Sequence, residues 1–246
     1  MNNIVSNSVF KYFEQISKIP RNSGKEEQMK DFLVSFAEQR NLPFITDEFN
    51  NVIIFKKTAD IKPIILQAHT DMVCVKKLSS NINFDKDPIK IVKKGKVLKA
   101  KNTSLGADDG IGVALILDIL DSDIPCNIEA VFTSSEETTM QGAYSINIKK
   151  LKAKEMICLD GFEGNTIITS SAGFVDFYVT FQTDKEMLNN STNLKTFKLS
   201  IKGLEGGHSG FDFPFALSLK KRRQPRRLCP RNTQPRRLCP TTLGLF

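Results

Sequence analysis

Histidine, paired cysteines and long apolar runs are scarce or missing in this 246-residue chain. It has two histidines, and its five cysteines include no CxxC pair, which argues against a disulfide framework or a zinc ribbon and favours reduced thiols. No stretch approaches the roughly 18 apolar residues of a membrane span. The N-terminus also lacks the basic region followed by an apolar region that is typical of a secretory signal peptide. These absences predict a soluble, cytoplasmic protein with no membrane partner.

Acidic residues are absent from residues 220–246, which hold nine Lys and Arg. Without this tail, 26 basic residues face 27 acidic ones, so the net charge of +8 belongs to the tail. Its segment 224–230 repeats at 234–240, and a Pro/Arg-rich repeat without a hydrophobic period is expected to be disordered. One interpretation is a nucleic-acid-binding tail. The interpretation that we favour is sequence foreign to the domain or out of frame.

Short β-branched apolar runs alternate with helical patterns over the first 173 residues. The runs predict strands at 52–55, 64–66, 128–132 and 156–159, and the helical patterns lie at 9–19, 29–37 and 110–120. Ser23 followed by Glu26 predicts a capping box at the start of the second helix. Strands alternating with helices predict an α/β domain at 1–173, with a mixed sheet and helices on both faces.

Two long alternating runs follow Gly173 and predict an antiparallel sheet with one wet face. They indicate a second, α+β domain that begins at 174 and is incomplete at 219, before the tail at 220–246. The predicted organisation is therefore two folded parts and a disordered end.

Five short stretches carry side chains that a metal would bind, and both histidines fall among them. Because strand ends in an α/β sheet gather at one edge, groups that follow separate strands are expected to converge there. Three of the stretches also have a simpler interpretation: a structural histidine at His69, acids that cap a helix at Asp108 and Asp109, and a solvated acidic turn at Glu136 and Glu137. The residues are His69, Asp71, Asp108, Asp109, Glu136, Glu137, Asp160 and His208.

Together the stretches resemble aminoacyl-histidine dipeptidase, a branch of the co-catalytic zinc metallopeptidase family that includes carboxypeptidase G and the aminoacylases. The resemblance runs in the family's order over roughly residues 5–215. Its segments are Pro20-Arg-x-Ser-Gly-x-Glu26, His69-Thr-Asp-Met-Val73, Leu105-Gly-Ala-Asp-Asp-Gly-Ile-Gly112, Glu136-Glu-Thr138, Leu159-Asp160 and Gly203-Leu-Glu-Gly-Gly-His-Ser-Gly210.

The resemblance implies a zinc-peptidase catalytic domain with an inserted lid domain, two zinc ions in each site and a homodimer. Co²⁺ or Mn²⁺ are alternative ions. His69 and Asp160 would bind one zinc, Glu137 would bind the other, and Asp108 would bridge them.

The implied activity is hydrolysis of dipeptides of the Xaa-His type by a metal-activated water. Glu136 would be the general base, and Asp71 would orient the histidine that binds zinc. His208 would reach from the lid to the peptide substrate or to the oxyanion that forms on it.

One expected ligand is missing from the pattern, because the family takes a last zinc-binding histidine from a segment after the lid and no histidine follows His208. We therefore expect a truncated copy, with weak occupancy of the second zinc and little or no activity. One alternative is a non-catalytic remnant that binds metal or peptide. Another is a tripeptidase or deacylase of the same family.

Overall fold

The structure is a computed structural model, and it describes residues 7–95, 97–161, 166–170 and 180. The described helices are α1 (Asn7–Ile16), α2 (Glu27–Gln39), α3 (Ala107–Asp121) and α4 (Gln141–Ser145), with a 3-10 turn at Ile148–Lys150. The strands are β1 (Phe44–Thr46), β2 (Val52–Lys57), β3 (Ile64–His69), β4 (Ile91–Lys94), β5 (Val97–Ala100), β6 (Asn127–Thr133) and β7 (Met156–Cys158). No helix within these ranges has the length and apolar character needed to cross a membrane.

Five strands form a mixed sheet in the order β1-β2-β6-β3-β7. β3 runs parallel to both β6 and β7, while β2 runs antiparallel to β6 and to β1. His69, the last residue of β3, pairs with Thr133, the last residue of β6. The carboxyl ends of the three parallel strands therefore lie at one edge of the sheet, and the predicted mixed α/β sheet is confirmed.

The main core lies between one face of this sheet and the helices α1, α2 and α3. Strand side chains alternate between faces, so every second residue of β2, β3 and β6 points at the helices. Helix α3 contacts both α1 and β3, while α2 contacts β1 and β2. The largest fully buried apolar side chains of this core are Phe13, Ile16, Met29, Leu33, Ile54, Ile116, Leu117 and Phe132. This burial fixes α3, and with it the segment that begins α3, against the end of β3.

The predicted capping box at the start of α2 is wrong. No side chain caps this helix at Glu26. The Ser23 hydroxyl instead donates to Asp71, 2.7 Å away, and Glu26 accepts from the amide of Ser135 at 3.0 Å. Glu26 also accepts from the nearby amide of Gly24, at 2.9 Å, but the tertiary bonds connect the α1–α2 segment to distant loops.

The predicted strands at 52–55, 64–66, 128–132 and 156–159 correspond to β2, β3, β6 and β7. The antiparallel pair β4–β5 and the short β1 were not predicted. The predicted domain at 174–219 and the tail at 220–246 lie, except for Thr180, outside the described residues, as does His208. Their assignment remains a prediction.

Candidate metal centre

The candidate centre lies at the edge where the parallel strands end. His69 closes β3, Glu136 and Glu137 follow β6 by three and four residues, and Asp160 follows β7 by two. Asp108 comes from the first turn of α3, where it and Asp109 depart from helical φ/ψ before the regular helix begins. Four separate elements thus supply five of the side chains that the sequence singled out, whereas His208 lies outside the described residues.

His69 is the innermost of these groups, with 1% of its surface exposed. Its Nδ1 lies 3.1 Å from the backbone oxygen of Asp71 and 3.3 Å from the carboxylate Oδ1 of the same residue. Its Nε2 lies 2.9 Å from Oδ1 of Asp108 and 4.0 Å from Oε2 of Glu136. Acceptors at Nδ1 keep a proton there, so Nε2 is the nitrogen that faces the acidic side chains and could bind a metal.

Within the part of the chain that the structure describes, two overlapping groups have the proximity that a metal ion needs, and they share His69. In each group the potential ligand atoms all lie within 4.8 Å of one another. One consists of His69, Asp108 and Asp160, and the other of His69, Glu136 and Glu137. Imidazole nitrogen combined with carboxylate oxygen is a donor set that suits zinc, so these residues fit the ion that the sequence predicts.

The electrostatics of the centre show how strongly its charges interact. Burial lowers the pKa of His69, but hydrogen bonds to Asp71 and Asp108 outweigh it and raise the pKa to about 10. Burial, and then the charge of Asp108, raise the pKa of Glu137 to about 7. Burial likewise raises the pKa of Glu136. A cation placed among these carboxylates would relieve their mutual repulsion.

Asp71 supports the centre through hydrogen bonds and is completely buried. Its carboxylate accepts hydrogen bonds from the backbone amides of Glu136, at 3.0 Å, and Glu137, at 3.1 Å, besides the one from Ser23. Burial alone would raise its pKa, but bonds from His69, Ser23 and the Glu136 amide outweigh this effect and hold the pKa below its ordinary value. Asp71 therefore stays ionised and fixes His69 and the loop after β6 together.

For Asp109 the sequence left two roles open, that of a metal ligand and that of a helix cap. It is 3% exposed, and its carboxylate accepts from the amides of His69 and Gly112, each at 3.2 Å. Burial, and then the charge of Asp160, raise its pKa to about 7. The capping interpretation therefore applies to Asp109, whereas its neighbour Asp108 faces His69.

Arg21 is a residue of the centre whose role the sequence reasoning did not identify. Its buried guanidinium donates to the backbone oxygens of Thr70, at 3.1 Å, Asp71, at 3.0 Å, and Gly106. Burial lowers its pKa to about 10, which still leaves it charged at neutral pH. The guanidinium of Arg21 thus connects the segment after β3 to the segment before α3. Its only sequence signal was its place in the Pro20–Glu26 segment.

Known proteins support the resemblance over a large part of the chain. No family model matches, but a cytosol non-specific dipeptidase of Escherichia coli K12 is 37% identical over 204 residues, which is 80% of this chain. The crystal structure of aminoacylhistidine dipeptidase from Vibrio alginolyticus is 33% identical over 65% of this chain, with a TM-score of 0.62. The chain is a relative of these dipeptidases. The resemblance that its motifs predicted is confirmed.

The relatives are longer than this chain. It spans 42% of the E. coli dipeptidase and 34% of the V. alginolyticus one. A tripeptidase structure from Staphylococcus aureus, 22% identical with a TM-score of 0.54 over 65% of this chain, shares the fold. The roles of the individual site residues stay predictions, although the structure brings His69, Asp71, Asp108, Glu136 and Glu137 together as the resemblance implies.

Proposed function

We propose that this chain carries a zinc-dependent hydrolytic site that acts on dipeptides of the Xaa-His type. The observation that supports this most is the convergence of one imidazole and four carboxylates at the sheet edge, with ligand atoms within 4.8 Å in each group. The names of the two dipeptidase relatives support the substrate class. A cytoplasmic location is part of the proposal, since the E. coli relative is described as cytosolic.

The proposed ligands divide between two zinc positions. His69, Asp108 and Asp160 would hold the first ion, and Asp108 would extend to a second ion held by Glu137. When bound, zinc would polarise the scissile carbonyl and lower the pKa of the attacking water. Asp71 would keep Nδ1 of His69 protonated, so that Nε2 stays available to the metal.

Glu136 is the proposed general base. Its carboxylate would accept a proton from the attacking water and pass it to the nitrogen of the leaving amino acid. Two features suit this work: Oε2 of Glu136 lies 4.0 Å from Nε2 of His69, next to the proposed metal, and burial raises the pKa of this carboxyl. His208 would bind the substrate carbonyl oxygen from the lid, and pairing of two chains would complete the site.

The number of ligands suggests low turnover by the 246-residue chain alone. The first zinc would have three ligands from the chain, which is the usual number for a catalytic zinc with an open position. Among the described residues the second would have two, Asp108 and Glu137, so we expect its occupancy in this chain to be weak. The competing proposal is a protein that binds metal or peptide without turnover.

Zinc titration and hydrolysis assays of the purified chain test the proposal. We expect one tightly bound zinc, a second weaker one, and slow hydrolysis of Leu-His or carnosine that Glu136→Gln abolishes while the first zinc remains. Tight zinc binding with no hydrolysis above the Glu136→Gln background would favour the non-catalytic alternative. Absence of any zinc binding would refute the zinc-dependent site and would leave a non-catalytic protein that binds peptide.

A further inference from the structure

The segment between α1 and α2 contacts three of the four segments that carry the proposed ligands: those after β3, before α3 and after β6. Arg21 binds the backbone after β3 and before α3, and its own backbone oxygen accepts from the amide of Met72 at 3.1 Å. Ser23 donates to Asp71, and Glu26 accepts from Ser135. Six consecutive residues, 21–26, thus hold loops that lie far apart in the sequence.

The loop after β6 is held through four consecutive backbone amides, at residues 134–137. Ser134 donates to Oδ1 of Asn51 at 3.0 Å, and Ser135 donates to Oε1 of Glu26 at 3.0 Å. The next two amides donate to the two carboxylate oxygens of Asp71. Three buried side chains therefore set the path of the backbone that ends in the proposed base and the proposed ligand.

Glu26 is the unexpected member of these three acceptors. It is 1% exposed, and among the described residues no cationic side chain forms a salt bridge with it. Burying a carboxylate without a cation is costly unless hydrogen bonds compensate it. The compensating donors are the amides of Gly24, at 2.9 Å, and Ser135, with the Ser135 hydroxyl at 3.3 Å.

Ser135 also has a backbone conformation that needs support. Its φ is 54°, in the left-handed region that non-glycine residues rarely adopt. The change in chain direction at Ser135 comes directly before Glu136, so a small rotation there would move both acidic side chains away from His69. Glu26 binds the amide and the hydroxyl of this residue.

We propose that Glu26 is a positioning residue, which holds Glu136 and Glu137 in place through the backbone of Ser135. This inference rests on the proposed function, because Glu136 and Glu137 matter as base and ligand only if the centre binds metal. Glu26 itself contacts neither metal nor substrate in this scheme. Its effect should therefore appear as weaker binding of the metal that uses Glu137.

Glu129 offers a matched control. It is also a buried glutamate, 3% exposed, and it also accepts two backbone amides, those of Lys152 and Ala153, at 2.9 to 3.1 Å. Those amides do not belong to the loop of residues 134–137. Glu26→Ala and Glu129→Ala thus remove the same carboxylate and the same kind of bond, and they differ in which segment is released.

The experiment is a Co²⁺ titration of the full chain, followed by visible absorption, in wild type, Glu26→Ala, Glu26→Gln and Glu129→Ala. Amide hydrogen exchange over residues 134–137 is measured on the same proteins. We expect Glu26→Ala to weaken the second Co²⁺ about 10- to 100-fold, as loss of a supporting bond does in metal sites. The affinity for the first Co²⁺ should change less than about threefold, because none of its proposed ligands lies in the loop of residues 134–137.

Glu26→Gln should keep most of the affinity for the second Co²⁺ that Glu26→Ala loses, since its amide oxygen still accepts from Ser135. Glu129→Ala should leave both Co²⁺ affinities unchanged. In Glu26→Ala, exchange at residues 136 and 137 should accelerate at least about tenfold more than in Glu129→Ala, which settles the inference if the second Co²⁺ is too weak to titrate.

Equal effects of Glu26→Ala and Glu129→Ala, in binding and in exchange, would overturn the positioning role and leave Glu26 as an ordinary buried residue. An unchanged Co²⁺ titration and exchange in Glu26→Ala would overturn it as well. A wild-type chain that binds no Co²⁺ would be a different result, because it removes the proposed function together with the inference that rests on it.

Discussion

Zinc binding to this chain should release a proton from His69, and the affinity should therefore depend steeply on pH. Both ring nitrogens face carboxylates, with Nε2 at 2.9 Å from Oδ1 of Asp108. Although burial lowers the pKa of this histidine, bonds to Asp71 and Asp108 raise it to about 10, so the metal-free ring is an imidazolium at pH 7. Zinc must displace the proton on Nε2, while the proton on Nδ1 remains with Asp71.

The magnitude follows from that pKa. One displaced proton makes the apparent zinc affinity rise about tenfold per pH unit wherever the metal-free ring is protonated. At pH 7, about three units below the pKa of His69, the apparent affinity should be about a thousandfold below its limit at high pH. Glu137, whose pKa burial and then Asp108 raise to about 7, should add a second proton below that pH for any ion it binds.

The assay is competition with a chromophoric chelator between pH 6 and 8, together with calorimetry in two buffers of different ionisation enthalpy. Asp71→Asn is the informative variant, because it removes the first-named interactions that raise the pKa of His69, so that the pKa should fall toward 6.5. Proton release at pH 7.5 should then fall by about one proton per zinc relative to wild type. A wild-type affinity that does not vary with pH, or an Asp71→Asn protein that releases as many protons as wild type, would refute the reasoning.

Three further results are expected. Glu136→Gln should lower dipeptide turnover by about 10²- to 10⁴-fold, the usual contribution of a general base, with the first zinc retained in a metal analysis. Gly112→Ala should destabilise the fold by about 1–3 kcal/mol in urea unfolding, because the added Cβ would lie 2.8 Å from Cγ of Asp109, whereas Gly161→Ala, with open space around it, should change the free energy of unfolding by less than about 0.5 kcal/mol. Deleting residues 220–246 should leave the zinc affinity unchanged, and salt-sensitive DNA binding that disappears on deletion would restore the nucleic-acid interpretation of the tail.

The sequence predicted the parts of the fold that are buried and regular. The strands β2, β3 and β6 are apolar and rich in β-branched residues, which is the pattern of strands inside a sheet. The pair β4–β5 gave no such signal, because exposed lysines such as Lys93, Lys94 and Lys99 occupy much of it. A surface hairpin buries too little for hydrophobic periodicity to mark it.

The candidate ligands were predictable for a topological reason. Residues that follow parallel strands meet at one edge, so the positions of His69, Glu136 and Asp160 after apolar runs were sufficient to place them together. The supporting residues were not predictable in this way. Glu26 and its partner Ser135 lie 109 positions apart, and the local spacing of Ser23 and Glu26 pointed to a capping box that the fold does not form.

The pKa values of the candidate centre indicate why protons and metal should compete for the same place. Burial raises the pKa values of Asp109 and Glu137 to about 7, so protons reduce the negative charge of these two carboxylates near neutral pH. Burial also raises the pKa of Glu136. Asp71 behaves in the opposite way, because donors from three directions keep it ionised. The supporting carboxylate thus keeps its charge at neutral pH, while Glu137, which faces the proposed metal, takes up a proton as the pH falls through about 7. Acidification should therefore empty the centre before it disturbs the network of Asp71 that supports it, and zinc should return when the pH is restored.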